Sequence, residues 1–355
     1  MAEMPATGAA MRALVVADGT ASLREVAAPA AEDGEVRVAV LRAGVCATDL
    51  ALVRGYMGFA GVPGHEFVGL ALEGPLAGRR VVGEINAGCG RCAGCLAGDS
   101  RHCPGRTVLG ILGRDGAFAE QIRLPARNLQ PVPEGLHDEQ AVFAEPLAAA
   151  LRITEQVEVR GRPVLVAGDG RLGLLCAHVL ALAGAEVSVA GRHPERAGLL
   201  PAGARHLVGL LEAGGEGEGD RDRDRDQGAR RPPAPPRQWP LAIEATGNPD
   251  VLERLLRCVE PRGTVILKTT SERPAEFDLA PVVVAEQTLM GSRCGRLGPA
   301  LELLASGRVP VGSLIAARYP LERATDALAH AARRGTLKVL IETTRAPSGS
   351  SSRCP

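Results

Sequence analysis

The segment from Pro163 to His193, PVLVAGDGRLGLLCAHVLALAGAEVSVAGRH, restricts the fold more than any other part of the chain. A short apolar run of strand type ends in the tight turn Gly168-Asp169-Gly170-Arg171-Leu172-Gly173, a helix-length apolar stretch follows, and a second strand-like run closes the unit. By itself a G-x-G-x-x-G turn says little. Between a strand and a helix it gains meaning, because glycines let a pyrophosphate approach the helix N-terminus, where free N–H groups and the helix dipole favour anions. Gly168, Gly170, Leu172 and Gly173 are therefore expected to bind a dinucleotide. The acid that reads the ribose belongs about 20 residues on, at the end of the second strand. Gly191-Arg192-His193 stands there instead. With no carboxylate on that strand to bond a 2′-hydroxyl or repel a 2′-phosphate, and with Arg192 suited to binding one, NADP is favoured over NAD. The alternative is that Arg192 only stacks on the adenine.

The texture on either side of this unit differs. From Met11 to about residue 136 the chain reads as short alternating strands (ALVVADG, SLREVAAP, EVRVAVLRAG, EFVGLALE, RRVVGEI, FAEQIRLP, LQPVP) broken by Gly and Pro, an irregular β domain. At His137 helical spacing appears in HDEQAVFAEPLAAALRITEQV, and from Pro163 strands and helices alternate. LAIEATG, TVILKTT and TLMGSRC are expected as further buried parallel strands, with VLERLLRCV as a helix between two of them. The last part, LGPALELLASGRV, LIAARYP, LERATDALAHAARR and LKVLIE, reads as helices and edge strands that return to the first domain. The expected division is 1–148 with 296–343 returning to it, and 149–295 for the nucleotide domain. The class is α/β. Residues 212–238, rich in Gly and Pro and alternating Asp with Arg, lack the apolar content that offsets ordering entropy and are expected to be a disordered insertion, as is the tail 344–355. The strand-like MRALVV begins at Met11, so the preceding residues are expected to be a tail or an upstream-start artefact.

Composition narrows the function. Lys plus Arg and Asp plus Glu both number 41, which leaves no net field for nucleic acid or an anionic membrane, and one Trp, two Tyr and five Phe offer few base-stacking platforms. The sequence holds no apolar run of the roughly 20 residues a membrane span needs and no signal peptide, so a cytoplasmic protein is expected. In that setting nine cysteines argue for metal ligands or reactive thiols ahead of disulfides.

Four of them, Cys89, Cys92, Cys95 and Cys103, form C-x2-C-x2-C-x7-C, a spacing that closes a tetrahedral shell around a structural zinc. An iron-sulfur cluster shares the start of the pattern, but the second cluster motif of ferredoxins is missing. A second, catalytic zinc is expected at Cys46 and His65, a thiolate and an imidazole on either side of one strand-loop region, with a third protein ligand and an open position. Glu145, an acid inside the apolar run VFAEPLAAAL, is the preferred third ligand, because an unpaired carboxylate is costly to bury there. Glu66 is its rival, or else a hydrogen-bond acceptor behind the metal.

Together GVCATD, GHE, the four-cysteine lobe, EPL, the glycine turn, EATG and GSRCG, in this order from about Met11 to Glu342, resemble the zinc-containing medium-chain dehydrogenase/reductase family, the alcohol and polyol dehydrogenases. The EPL form is similar to the sorbitol, threonine and glucose dehydrogenase branch. The resemblance implies a GroES-like, mostly-β catalytic domain made from both chain ends, a Rossmann domain with a doubly wound parallel sheet, a cleft between them, and a homodimer or homotetramer. It also implies that Cys46, His65 and Glu145 hold the catalytic zinc, that Asp49 orients His65, and that Thr48 takes the substrate proton. Some relatives carry a histidine soon after the Thr-Asp pair to pass that proton on; here Leu50, Ala51 and Leu52 follow. The expected activity is hydride transfer between a small alcohol, polyol or sugar, or its carbonyl product, and NAD(P), with zinc as Lewis acid on the substrate oxygen. A double-bond reductase of the same fold, or a non-catalytic nucleotide- and zinc-binding regulator, are the alternatives.

Overall fold

A computed structural model describes residues 10–30, 32–211, 239–272, 274 and 276–343. The expected N-terminal extension before residue 10, the insertion 212–238 and the tail 344–355 lie outside the described residues. Contacts divide the chain into two units, Met1–Arg152 with Cys294–Pro355, and Ile153–Arg293.

In the second unit six strands lie side by side, all parallel, in the order Arg205–Val208, Glu186–Gly191, Pro163–Ala167, Trp239–Glu244, Val259–Leu267, Thr288–Gly291. Strands covered on both faces read as unbroken apolar runs, and Val164, Leu165, Val166, Ala167, Leu241, Ala242 and Ile243 are fully buried. The strand order reverses between Pro163–Ala167 and Trp239–Glu244, the switch point outside whose carboxyl ends open α/β sheets bind ligands. Two elements had no signal in the sequence. Arg205–Val208 is an edge strand with both ends exposed, so it needs no apolar run, and Ala280–Val284 is a short helix with no buried residue.

The first unit is built on a seven-stranded sheet in which Ile315–Pro320, Lys338–Glu342, Glu35–Gly44, Glu66–Ala71, Arg80–Gly83 and Leu129–Pro131 are neighbours, with Gln121–Pro125 also paired to Glu35–Gly44. Lys338–Glu342 joins Glu35–Gly44 antiparallel through Leu340 opposite Gly44, so the C-terminal strands complete a sheet begun near the N-terminus. Val36, Val38 and Val40 alternate inward, as a half-buried strand requires, and meet Phe67, Phe118 and Leu124 in one core. This core sets the loop that carries His65. Gly116 donates its N–H to Val62 O at 2.7 Å, Ala117 to Gly64 O at 2.8 Å and Phe118 to Pro63 O at 3.0 Å, while the Phe118 side chain, fully buried, closes over Gly64. Among the described residues no helix is long and apolar enough to cross a membrane.

Phe118→Ala opens a cavity beneath this loop and is expected to cost about 3–5 kcal/mol of stability. The measurement is the urea midpoint of the variant against wild type; an unchanged midpoint would mean that Phe118 does not support the loop.

Candidate metal centres and nucleotide turn

Cys46 caps the short helix Ala47–Val53, and Asp49 at its third position reaches back to bond the Cys46 N–H at 2.8 Å, a capping box that fixes where the thiol begins. The same carboxylate, fully buried, accepts the Gly64 N–H at 3.1 Å and lies 3.1 Å from His65 Nδ1. With Nδ1 held by Asp49, Nε2 is the nitrogen left for a metal. Burial pulls the His65 pKa down, but the Asp49 charge and hydrogen bond, with Cys46, outweigh it, and the imidazole stands well above its usual range. Thr48, half-buried, has its hydroxyl 3.9 Å from Cys46 Sγ.

Cys46, His65 and Glu66 each offer a ligand atom, and these atoms all lie within 4.8 Å of one another. Glu145 is not part of that tight group. Glu66, at 1% exposure, is already engaged: its Oε2 forms a short ion pair with Lys338, itself 2% exposed, whose ammonium also donates to Val45 O at 3.4 Å. Glu145, in the first turn of the helix Ala144–Gln156, has no hydrogen bond or ion pair among the described residues. Part of its surface is open, yet the protein around the carboxyl pushes it up to about 7, first through burial, against the pull of His65 and with Glu66 and Glu84 adding to the rise. A carboxylate in such a place lacks a cation. Lys338 had no distinguishing signal in the sequence, where it heads an apolar strand and reads as an edge residue.

In the four-cysteine lobe the Sγ atoms of Cys89, Cys92, Cys95 and Cys103 also lie within 4.8 Å of one another, and all four are free thiols. The backbone N–H groups of Arg91 and Cys92 draw the Cys89 thiol down to about 6. At Cys95 the Gly90 N–H pulls the other way from burial and the neighbouring thiols, which prevail and raise it to about 11. Four sulfurs this close cannot all ionise without a cation, and a set of four soft donors suits zinc.

The nucleotide turn joins the strand Pro163–Ala167 to the helix Arg171–Leu182. Gly168 adopts φ +110°, which L side chains rarely take, and a Cβ on Gly173 would lie 1.9 Å from Gly168 O, so neither position admits a side chain. Gly170 is the N-cap of this helix, and a Cβ there would meet nothing within 4 Å. Open space in front of a helix N-terminus is what a pyrophosphate requires. Leu172 is half-buried in the first turn of the helix, and Arg192 is exposed at the end of the strand Glu186–Gly191. Further along the sheet, the carboxyl ends of Trp239–Glu244 and Val259–Leu267 border a hollow lined by Glu244, Asn248, Leu267 and Thr269. Asp169 lies in the turn with its carboxylate beside Gly191, an acid near the second strand that no sequence spacing indicates.

Lys338→Met leaves Glu66 buried without its counter-ion and is expected to cost about 3–5 kcal/mol, with Lys338→Arg far milder. Chemical denaturation of the two variants checks this; equal stabilities for Met and wild type would mean that the Lys338–Glu66 pair does not support the fold.

Two family profiles match: the alcohol dehydrogenase GroES-like domain over residues 32–134 and the zinc-binding dehydrogenase over residues 172–306. The L-threonine 3-dehydrogenase of Streptomyces coelicolor is 31% identical over 341 residues, covering 91% of this chain and 96% of its own. A Sinorhizobium meliloti protein solved with NADP superposes with a TM-score of 0.79 at 26% identity, over 94% of this chain and all (100%) of that one. The alcohol dehydrogenase RspB of Escherichia coli CFT073, solved with NADH, gives 0.78 at 25% identity over 95% and 100%. With its GroES-like and Rossmann parts, the chain is an oxidoreductase that belongs to the zinc-containing medium-chain alcohol and polyol dehydrogenase family.

Proposed function

We propose that this chain transfers a hydride between a small alcohol, polyol or sugar, or its carbonyl product, and NADP in preference to NAD, at a zinc held by Cys46, His65 and Glu145. The observation that carries the reading is the convergence of Cys46 and His65, the latter with Nδ1 occupied by Asp49, beside a Glu145 carboxyl raised to about 7 and without a partner among the described residues. Zinc, when bound, supplies a Lewis acid for the substrate oxygen, and the nicotinamide takes up or gives the hydride.

The residues do the rest. Asp49 fixes the ring of His65 and the backbone of Cys46, so both donors are oriented before any metal arrives. Thr48, half-buried, would relay the substrate's hydroxyl proton, accepting it while releasing its own hydroxyl proton to solvent, since no histidine stands in Leu50-Ala51-Leu52 to take it. Glu145 contributes the negative charge of the third ligand. Glu66 as third ligand is a second reading, favoured by its place within 4.8 Å of Cys46 and His65. The Lys338 pair argues against it, because taking Glu66 to a metal would strand a buried ammonium. Cys89, Cys92, Cys95 and Cys103 would hold a second zinc, and with four protein thiolates its role would be architectural.

For the coenzyme, relatives of this fold have been solved with NADP and with NADH. Here the end of the strand Glu186–Gly191 carries a glycine and then an exposed arginine, which favours the 2′-phosphate. The chain is further proposed to be a homodimer or homotetramer. Leu279, Val283 and Val284 are exposed at 61%, 72% and 85%, close in sequence to Thr288–Gly291, which among the described residues is an edge of the parallel sheet. An apolar patch beside an open edge favours self-association.

Cys46→Ser is expected to abolish turnover of any alcohol found by screening while leaving the fold and NADP binding intact; turnover that survives would refute the metal assignment. Glu145→Gln should likewise inactivate, whereas Glu66→Gln should retain activity, and the reverse result would transfer the ligand role to Glu66. Val284→Glu is expected to lower the mass seen in sedimentation towards that of a single chain, and no change would remove this face from the assembly.

A further inference from the structure

The strand Glu186–Gly191 ends without a side chain, yet the space a side chain would take is filled: a Cβ on Gly191 would lie 2.2 Å from Asp169 Oδ2. Asp169 belongs to the glycine turn and reaches across to the neighbouring strand. Its Oδ2 accepts the His193 N–H at 2.8 Å and lies 3.4 Å from His206 Nε2. Its Oδ1 is 3.5 Å from Arg196 Nη1, which also donates to the Asp169 carbonyl at 2.7 Å. Asp169 is 5% exposed and Arg196 6%. The carboxylate is thus held from the protein side by a backbone N–H and a guanidinium, with an imidazole close by.

Two consequences follow for Arg192, which lies between Gly191 and His193 and is exposed. The bond to the His193 N–H ties down the backbone next to Arg192 and so sets the direction in which its side chain leaves. The pairing with Arg196 cancels the Asp169 charge locally, so the field outside the strand end is that of Arg192; an unpaired carboxylate this close would oppose it. We propose that Asp169 is a positioning residue for coenzyme choice: it braces the Gly191–His193 turn, its charge balanced by Arg196, so that Arg192 faces the adenosine 2′ position and takes a 2′-phosphate. This rests on the NADP reading given above. The competing role, in which Asp169 replaces the absent strand acid and accepts the ribose hydroxyls, fits poorly with a carboxylate so buried and already engaged.

Binding of 2′,5′-ADP and of 5′-AMP to the full chain, measured by calorimetry, separates these roles, because the two probes differ in the 2′-phosphate. Wild type should bind 2′,5′-ADP more tightly; equal affinities would refute the NADP reading itself and the proposal with it. Given that preference, Asp169→Ala should weaken 2′,5′-ADP roughly tenfold while 5′-AMP changes by less than about twofold, the loss of one charge-assisted contact. Asp169→Asn keeps an oxygen for the His193 N–H and should recover most of the loss. Gly191→Ala displaces the carboxylate while leaving Arg196 its counter-ion, so it should reproduce the alanine result and decides the matter if Asp169→Ala does not fold. An equal loss with both probes would reduce Asp169 to general support of the turn. A loss confined to 5′-AMP would make it a ribose acceptor, and tighter binding of 2′,5′-ADP a repelling charge. Each of these overturns the proposal.

Discussion

One carboxylate organises the candidate catalytic centre. Asp49 accepts the N–H groups of Cys46 and Gly64 and pairs with His65 Nδ1, with no surface exposed. Three donors from two loops, one after the strand Glu35–Gly44 and one before the strand Glu66–Ala71, are thereby fixed to a single side chain. Buried anions are tolerated only when so satisfied, and the energy that satisfies this one also aims a thiol and an imidazole at one place. The core under Phe118 and the sheet completed by Lys338–Glu342 serve that arrangement by holding the loops in register.

The two glutamates near this centre show how burial assigns roles to identical side chains. Glu66 is buried with an ammonium and is electrically complete. Glu145 is crowded but unpartnered among the described residues, and burial raises its carboxyl to about 7, so a cation close to it would favour the ionised form. Proximity favours Glu66 as the third ligand, and charge balance is the ground on which Glu145 is proposed instead. The four-cysteine lobe shows the same dependence on surroundings, since backbone N–H groups draw Cys89 down to about 6 while burial and the neighbouring thiols raise Cys95 to about 11.

Much of this was legible in the sequence, because its signals are local. The switch from alternating strands to strand-helix units, the glycine turn and the C-x2-C-x2-C-x7-C spacing each lie within a few dozen residues, and each corresponds to an element or cluster in the structure. Contacts between distant segments were not legible. Lys338 meets Glu66 across the sheet, and a lysine heading an apolar strand looks like an edge residue until its partner is seen. Asp169 fills the space beside Gly191 although the second strand itself lacks an acid, so spacing along the strand gave an incomplete picture of the charge around its end. Arg205–Val208 escaped notice because a short edge strand need not be apolar.

The central claim is that the chain holds two distinct zinc sites, one open at Cys46 and His65 and one closed by four cysteines. Counting metal per chain by mass spectrometry on purified wild type and Cys46→Ser tests it most directly. The account predicts two zinc ions in wild type and one in the variant, with the remaining ion lost only when the four-cysteine lobe is altered. A single ion in wild type, or two retained in Cys46→Ser, would contradict it.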